Sequence, residues 1–351
     1  MKARVFMLAM AIAVTASGTW YFMRGQSGST IVETTNSNIK EGPALVQNGK
    51  NEPAKEHIAQ SPAAILWGMK LVNENVSDED LDRLENLGIR VLEGEWGMDE
   101  ATPEQVLELL DRLAARDITL IVNLSDEAAW GYHTTGKISP GQKPIWQPLR
   151  MEEYVQSIKQ HRAIYGYDIS NEAGENLPNG DWFRIDESSL RDAADSVRRV
   201  DSKRPIIIRM HYWDRLDGDF FSDNPFGPGI ADVVILNLYS NYSQDKKTPL
   251  LPNMVRDSGA ALVRKIRAVD PKVNVWISLA AFKELPLFIR PIAEDLTRDI
   301  RETLKIEGVS GVSFFGWGPE RYPDTPPGWY LPRDGPDLLK VVASFTNGAE
   351  K

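Results

Sequence analysis

The 351-residue chain contains no cysteine, which excludes disulfides, thiolate catalysis, cysteine-ligated metals and a lipidated N-terminal cysteine. It also lacks a block of basic residues beyond short pairs such as Arg198-Arg199 and Lys246-Lys247, within a formal net charge of −10. Nucleic-acid binding needs Lys and Arg clustered against phosphates, so no nucleic-acid partner is expected. No Gly-rich phosphate loop follows the first apolar run, where Trp67-Gly68-Met69-Lys70 leads only to Asn73-Glu74-Asn75. His211 and His133 lack the clustered or i,i+4 partners of a metal site, and neither metal nor other cofactor is expected. What the chain does have is 10 Trp and 22 Pro in an otherwise ordinary globular composition. Its tryptophans suit either stacking on flat ligands or filling a large core.

The first 24 residues carry a compartment signal. Lys2 and Arg4 precede an apolar run from Val5 to Met23, closed by Arg24, the pattern of a secretory signal. Val14-Thr15-Ala16 offers a cleavage site, whereas Trp20, Tyr21, Phe22 and Met23 lengthen the run towards a membrane-spanning signal-anchor. Both readings put the remaining chain outside the cytoplasm, and the longer run favours membrane attachment. Residues 25–61 are polar and without periodicity, which reads as a flexible linker. One folded domain, 62–351, follows.

From Ala64 onward short apolar runs alternate with amphipathic charged ones. Strands are predicted at 64–71, 90–96, 118–125, 164–171, 205–212, 233–240, 273–280 and 311–317. Helices are predicted at 78–87, 103–116, 151–162, 187–200, 255–269, 290–306 and 336–345, with Ser77 and Thr102-Pro103 as starts. The Gly/Pro-rich connection 213–230 gives no clear helix. Such alternation predicts a parallel sheet, and strands apolar on both sides predict cover on both faces. Eight units over a span near the roughly 250 residues typical of a (β/α)8 TIM barrel favour that α/β fold over an open sheet.

Barrel active sites lie at the carboxyl ends of the strands. There this sequence puts Glu93 and Glu95, Asp126 and Glu127, Asn171-Glu172, His211, Asn237 and Tyr239, and Trp317 with Glu320 beyond it. Acids, amides and flat rings on one rim suit a polysaccharide or oligosaccharide. Plainer readings stand beside several of these. Glu93 could pair with Lys70 or Arg209, Trp276 reads as core, and Trp317 could close the barrel end. The long loop 126–149 could line a cleft with Trp130 and Tyr132.

The run from Ile164 to Glu172, with Gly166-Tyr167-Asp168 leading to Asn171-Glu172, resembles the fourth strand of clan-A glycoside hydrolases, including family 5. The resemblance implies that Glu172 is the acid/base and that Asn171 touches the substrate's 2-hydroxyl. Asp232 through Asn237-Leu238-Tyr239 is similar to the clan's sixth strand, implying a site role for Tyr239. Phe314-Phe315-Gly316-Trp317 is similar to the eighth, implying Trp317 as a sugar platform. Strand seven departs: in the simplest register Leu279 stands where the clan has its nucleophilic Glu. Retention needs two carboxyl groups about 5–5.5 Å apart, and inversion roughly 6.5–9.5 Å. Three readings stay open. Glu284 folds back as nucleophile; Glu93, Glu95 or Glu320 acts as base; or the barrel binds a glycan or an envelope partner without cutting.

Overall fold

The computed structural model describes residues 65–71, 76–94, 101–125, 130, 146–172, 174–176, 182–212, 220–243, 245, 247–284, 288–318 and 329–348. Of 174–176, 182–184 and 222–223 the backbone alone is described. The N-terminal signal and linker expectations lie outside these residues. Among the described residues no helix is long and apolar enough to cross a membrane.

Eight parallel strands form a closed barrel. They are β1 (Leu66–Leu71), β2 (Val91–Glu93), β3 (Thr119–Asn123), β4 (Ile164–Asn171), β5 (Ile206–His211), β6 (Val233–Leu238), β7 (Asn274–Ala280) and β8 (Val309–Trp317). Each pairs with the next, and β8 pairs with β1. The expected TIM barrel is the observed fold. Alternate residues divide its apolar load. Val91, Ile121, Ile207, Val233, Ile235 and Trp276 fill the lower interior. Met69, Leu92, Ile208, Leu236, Ile277, Leu279 and Phe314 belong to the larger core that includes the helices.

The helices are α1 (Asp78–Asn86), α2 (Pro103–Ala114), α3 (Pro148–Ile158), α4 (Glu187–Val200), α5 (Ala260–Val269), α6 (Ala293–Leu304) and α7 (Pro336–Thr346). Capping boxes join Ser77 to Asp80 and Thr102 to Gln105 at the starts of α1 and α2, satisfying amides that a helix start leaves unpaired. The expected helix 255–269 opens with a wider π turn, Val255–Gly259, before α5. A short helix, Leu331–Asp334, precedes α7. Around the junction of α1 and β2, α7 grips the first helical unit: Thr346 Oγ1 donates to Leu87 O, and Asn347 Nδ2 donates to Asn86 O at 3.4 Å.

One glycine of the strand-four motif has a steric cause. A Cβ on Gly166 would lie 2.5 Å from both Pro205 O and Ile207 Cδ1, so the approach of β5 requires glycine there. An antiparallel hairpin, Gly174–Asn176 with Trp182–Arg184, follows β4. The sequence pattern did not signal it.

Candidate active site

Above the apolar floor the barrel interior turns polar. Arg209 on β5 is 3% exposed and reaches across to β2, where its Nη2 lies 2.5 Å from Glu93 Oε2. Its Nε donates to Asp168 Oδ2 on β4 at 2.7 Å. Ser313 on β8 donates to the other oxygen of Glu93, which is 0% exposed. Lys70 on β1 donates to Gly94 O at 2.6 Å. Burial alone would lower the Arg209 pKa, but the carboxylates of Glu93 and Asp168 outweigh it and hold it above the ordinary arginine value. Burial pushes the Asp168 carboxyl up, against the pull of Arg209 and Lys70. Two buried basic side chains therefore share this layer with two buried carboxyl groups. Glu93 has the ion-pair role given as its plainer reading, with a partner across the barrel and not on an adjacent strand. Its carboxylate is taken up and does not reach the mouth as a base.

Glu172 stands directly above this layer. The pairing of β4 with β5 slips between Asp168 and Ser170, and Glu172 then takes φ +53°. A side chain in that left-handed region costs about 1–2 kcal/mol, and such strain concentrates at functional positions. Its backbone N–H donates to Arg209 O at 3.3 Å. Its carboxyl is 14% exposed, accepts from Asn237 Nδ2 at 2.7 Å through Oε1, and lies 3.9 Å from His211 Nδ1 through Oε2. Asn224 steadies His211 by bonding both its backbone groups, at 2.9 and 3.0 Å. Asn171 is exposed beside Glu172. Half-buried Tyr239 brings its hydroxyl within 3.5 Å of Ser278 Oγ. Burial raises its pKa far above the usual phenol range, with the nearby Glu172 charge adding to this, so it remains a neutral hydroxyl. Glu172, Asn237, His211 and Tyr239, named from the sequence, thus converge on one mouth.

Strands β7 and β8 differ from the sequence register. Trp276 belongs to the inner cluster and Leu279 to the outer core. By alternation the inward residues of β7 are Trp276, Ser278 and Ala280. Leu279 faces the opposite way, a distinction that period-two patterning cannot make when both faces are apolar. On β8 the pairing with β1 slips between Phe315 and Trp317. Trp317 is consequently 0% exposed within the outer core, while Phe315 stays half-buried at the mouth. Phe315 meets Tyr239 at 6.0 Å and Phe282 at 4.7 Å between ring centroids. Phe315 shares the inward parity of Ser313, and the slip that turns Trp317 away from the mouth leaves no mark in the sequence.

Glu284 lies exposed past β7, where its backbone bridges Phe288. Glu95, Glu320, Asp126, Glu127, Tyr132 and His133 fall outside the described residues. Trp130 does not line an open cleft: it is 0% exposed, donates to Ile169 O at 3.0 Å and meets Trp146 edge-on at 4.8 Å. Among the described residues no group of three or more His, Cys, Asp or Glu could hold a metal ion.

No protein-family model matches the sequence, and no curated protein sequence matches it. Solved structures do. The GH5_18 protein of Streptomyces cattleya, in complex with Manβ1-4GlcNAc, superposes with a TM-score of 0.62 at 16% identity, over 82% of this chain and 81% of that one. The GH5_18 protein of Bifidobacterium longum subsp. longum gives 0.60 at 10% identity, covering 81% and 78%. The endo-1,4-β-D-mannanase of Thermotoga petrophila gives 0.51 at 12% identity, covering 81% and 99%. At these identities the likeness establishes the fold alone, a (β/α)8 barrel shared with these proteins.

Proposed function

We propose that this chain is a glycoside hydrolase that cleaves O-glycosidic bonds of an extracellular or cell-envelope polysaccharide, with Glu172 as the proton donor. The observation that carries this reading is the placement of Glu172: a mostly buried carboxyl at the end of β4, oriented by Asn237 above the ion-paired interior of Arg209, Glu93 and Asp168. A carboxyl so held can protonate a leaving glycosidic oxygen and take the proton back from water. Phe315 and Tyr239 supply half-buried ring surface for a sugar, and exposed Asn171 supplies an amide for its hydroxyls.

The second carboxylate comes from outside the strands, because no inward residue of β7 is acidic and Glu93 is occupied by Arg209. Glu284 is the candidate for a nucleophile at the roughly 5–5.5 Å of retention, and Glu95 or Glu320 for a base at the roughly 6.5–9.5 Å of inversion. Lys2, Arg4 and the apolar run to Met23 support export with membrane attachment. A signal-peptidase cleavage assay on the expressed protein distinguishes an anchor from a removed leader.

The test is reducing-end release from a panel of β-mannans and β-glucans, with the product anomer read by proton NMR. Wild type should release ends and Glu172→Gln should lose at least about 100-fold in rate. Equal rates in the two proteins would remove Glu172 from the chemistry. A second reading is favoured by the inward Ser278: a barrel that binds glycan without cutting it. It predicts calorimetric binding of the same oligosaccharides with no turnover by wild type.

A further inference from the structure

Glu172 is held by a side chain that is hydrogen-bonded at only one end of its amide. Asn237 Nδ2 donates to Glu172 Oε1 at 2.7 Å. Asn237 is 6% exposed, yet its Oδ1 has no hydrogen-bond partner among the described residues. The other ionisable groups facing this carboxyl are engaged elsewhere or too far for a hydrogen bond. His211 Nδ1 on β5 is 3.9 Å from Oε2. The Tyr239 hydroxyl after β6 approaches Ser278. Arg209 below is paired with Glu93 and Asp168, and Lys70 bonds Gly94 O.

A carboxylate can only accept a hydrogen bond, whereas a protonated carboxyl also donates one. A primary amide has its donors at one end and its acceptor at the other, in nearly equal volumes. Turning it by half exchanges Nδ2 for Oδ1 opposite Glu172 without repacking the neighbours. In both orientations the far end of the amide meets the same space.

We propose that Asn237 is the positioning residue of the proton donor: its amide offers Nδ2 to ionised Glu172 and turns over to offer Oδ1 to protonated Glu172. The carboxyl then keeps one direction while its proton is lost and regained. A side chain that is always charged, or that can only donate or only accept, would serve one of the two states. The inference rests on the reading of Glu172 as the acid, and its test does not depend on turnover.

The experiment is an NMR titration of full-length protein labelled at Glu carboxyl carbons and Asn side-chain nitrogens. Glu172 and Asn237 are assigned by their loss in Glu172→Gln and Asn237→Asp. In wild type the Asn237 amide signal should move with the same midpoint as the Glu172 carboxyl, and this response should vanish in Glu172→Gln. Asn237→Asp puts a second carboxylate at hydrogen-bond distance and should raise the Glu172 midpoint by more than about one pH unit. An amide signal that ignores Glu172 would overturn the proposal without any variant at position 237. So would a response that survives in Glu172→Gln, which would assign it to His211. Glycan turnover is scored separately. A coupled titration in a protein that cleaves nothing removes the hydrolase reading and leaves the pairing; turnover beside a silent amide does the reverse.

Discussion

Replacing Arg209 with Met should be the most damaging single change in the barrel interior, and the damage should depend on pH. Met is unbranched and apolar and follows the Arg chain about as far as Nε, so the substitution removes the charge and hydrogen bonds of the guanidinium while keeping the apolar stem. It leaves Glu93 and Asp168, at 0% and 2% exposure, without their shared partner. Breaking a buried ion pair costs about 3–5 kcal/mol. Proton uptake limits that loss: neutralising an ordinary carboxyl costs about 4–5 kcal/mol near pH 7.5 and about 1 kcal/mol near pH 5. In the variant both carboxyls would have folded pKa values raised above their unfolded ones. Their favourable contribution is then complete below the unfolded pKa and lost as pH rises through the folded one. Urea unfolding followed by tryptophan fluorescence should therefore give a loss of about 3–5 kcal/mol near pH 7.5, shrinking to about 1–2 kcal/mol near pH 5. Combining Arg209→Met with Glu93→Gln and Asp168→Asn should recover most of it at the higher pH. A loss below about 1 kcal/mol near pH 7.5, or one equal at both pH values, would refute the description of this layer as an interdependent ion cluster.

Other expectations are smaller. Asp299, buried on α6, accepts from Ser240 and from Arg298, and burial raises its pKa to about 6. Its folded pKa lies above the unfolded value, so stability falls as pH rises from near 4 through about 6. Asp299→Asn should accordingly stabilise the protein at pH 8 by up to about 3 kcal/mol and have little effect near pH 4, as thermal melts at the two pH values would reveal. Gly166→Ala should cost about 1–3 kcal/mol by overpacking against Pro205 O, a backbone atom that cannot rotate away; an unchanged urea midpoint would contradict that contact. Glu172→Gly and Glu172→Ala both remove the carboxyl, but alanine keeps a Cβ at φ +53°. The glycine variant should be the more stable by about 1 kcal/mol, and equal melting temperatures would argue against backbone strain at this position.

Most of the architecture was legible because it depends on patterns that neighbouring residues cannot hide. The eight apolar runs became the eight strands, and the N-capping residues Ser77 and Thr102 mark the observed helix starts. Helix α4 coincides with its expected span, Glu187–Val200. The site was legible to the extent that strand ends determine it. Glu172, Asn237, His211 and Tyr239 share the mouth because each ends or follows a strand and points inward. What could not be read was facing and reach. Leu279 and Ser278 exchange places with a single step of register, and a strand apolar on both sides does not reveal which residue faces in. The slip at the end of β8 turns Trp317 into the outer core and leaves Phe315 as the ring at the mouth. The reach of Arg209 from β5 to β2 spans the barrel, a pairing that no local spacing encodes.

The grip of α7 on the first helical unit, together with the bond between β8 and β1, has a bearing on how the chain is made. During synthesis β1 emerges with one edge bare and must wait for nearly the whole barrel before its second neighbour exists. An uncovered strand edge invites wrong partners in the interval. Nascent chains halted before Val309 should thus be chaperone clients, and release from that custody should coincide with the arrival of Thr346.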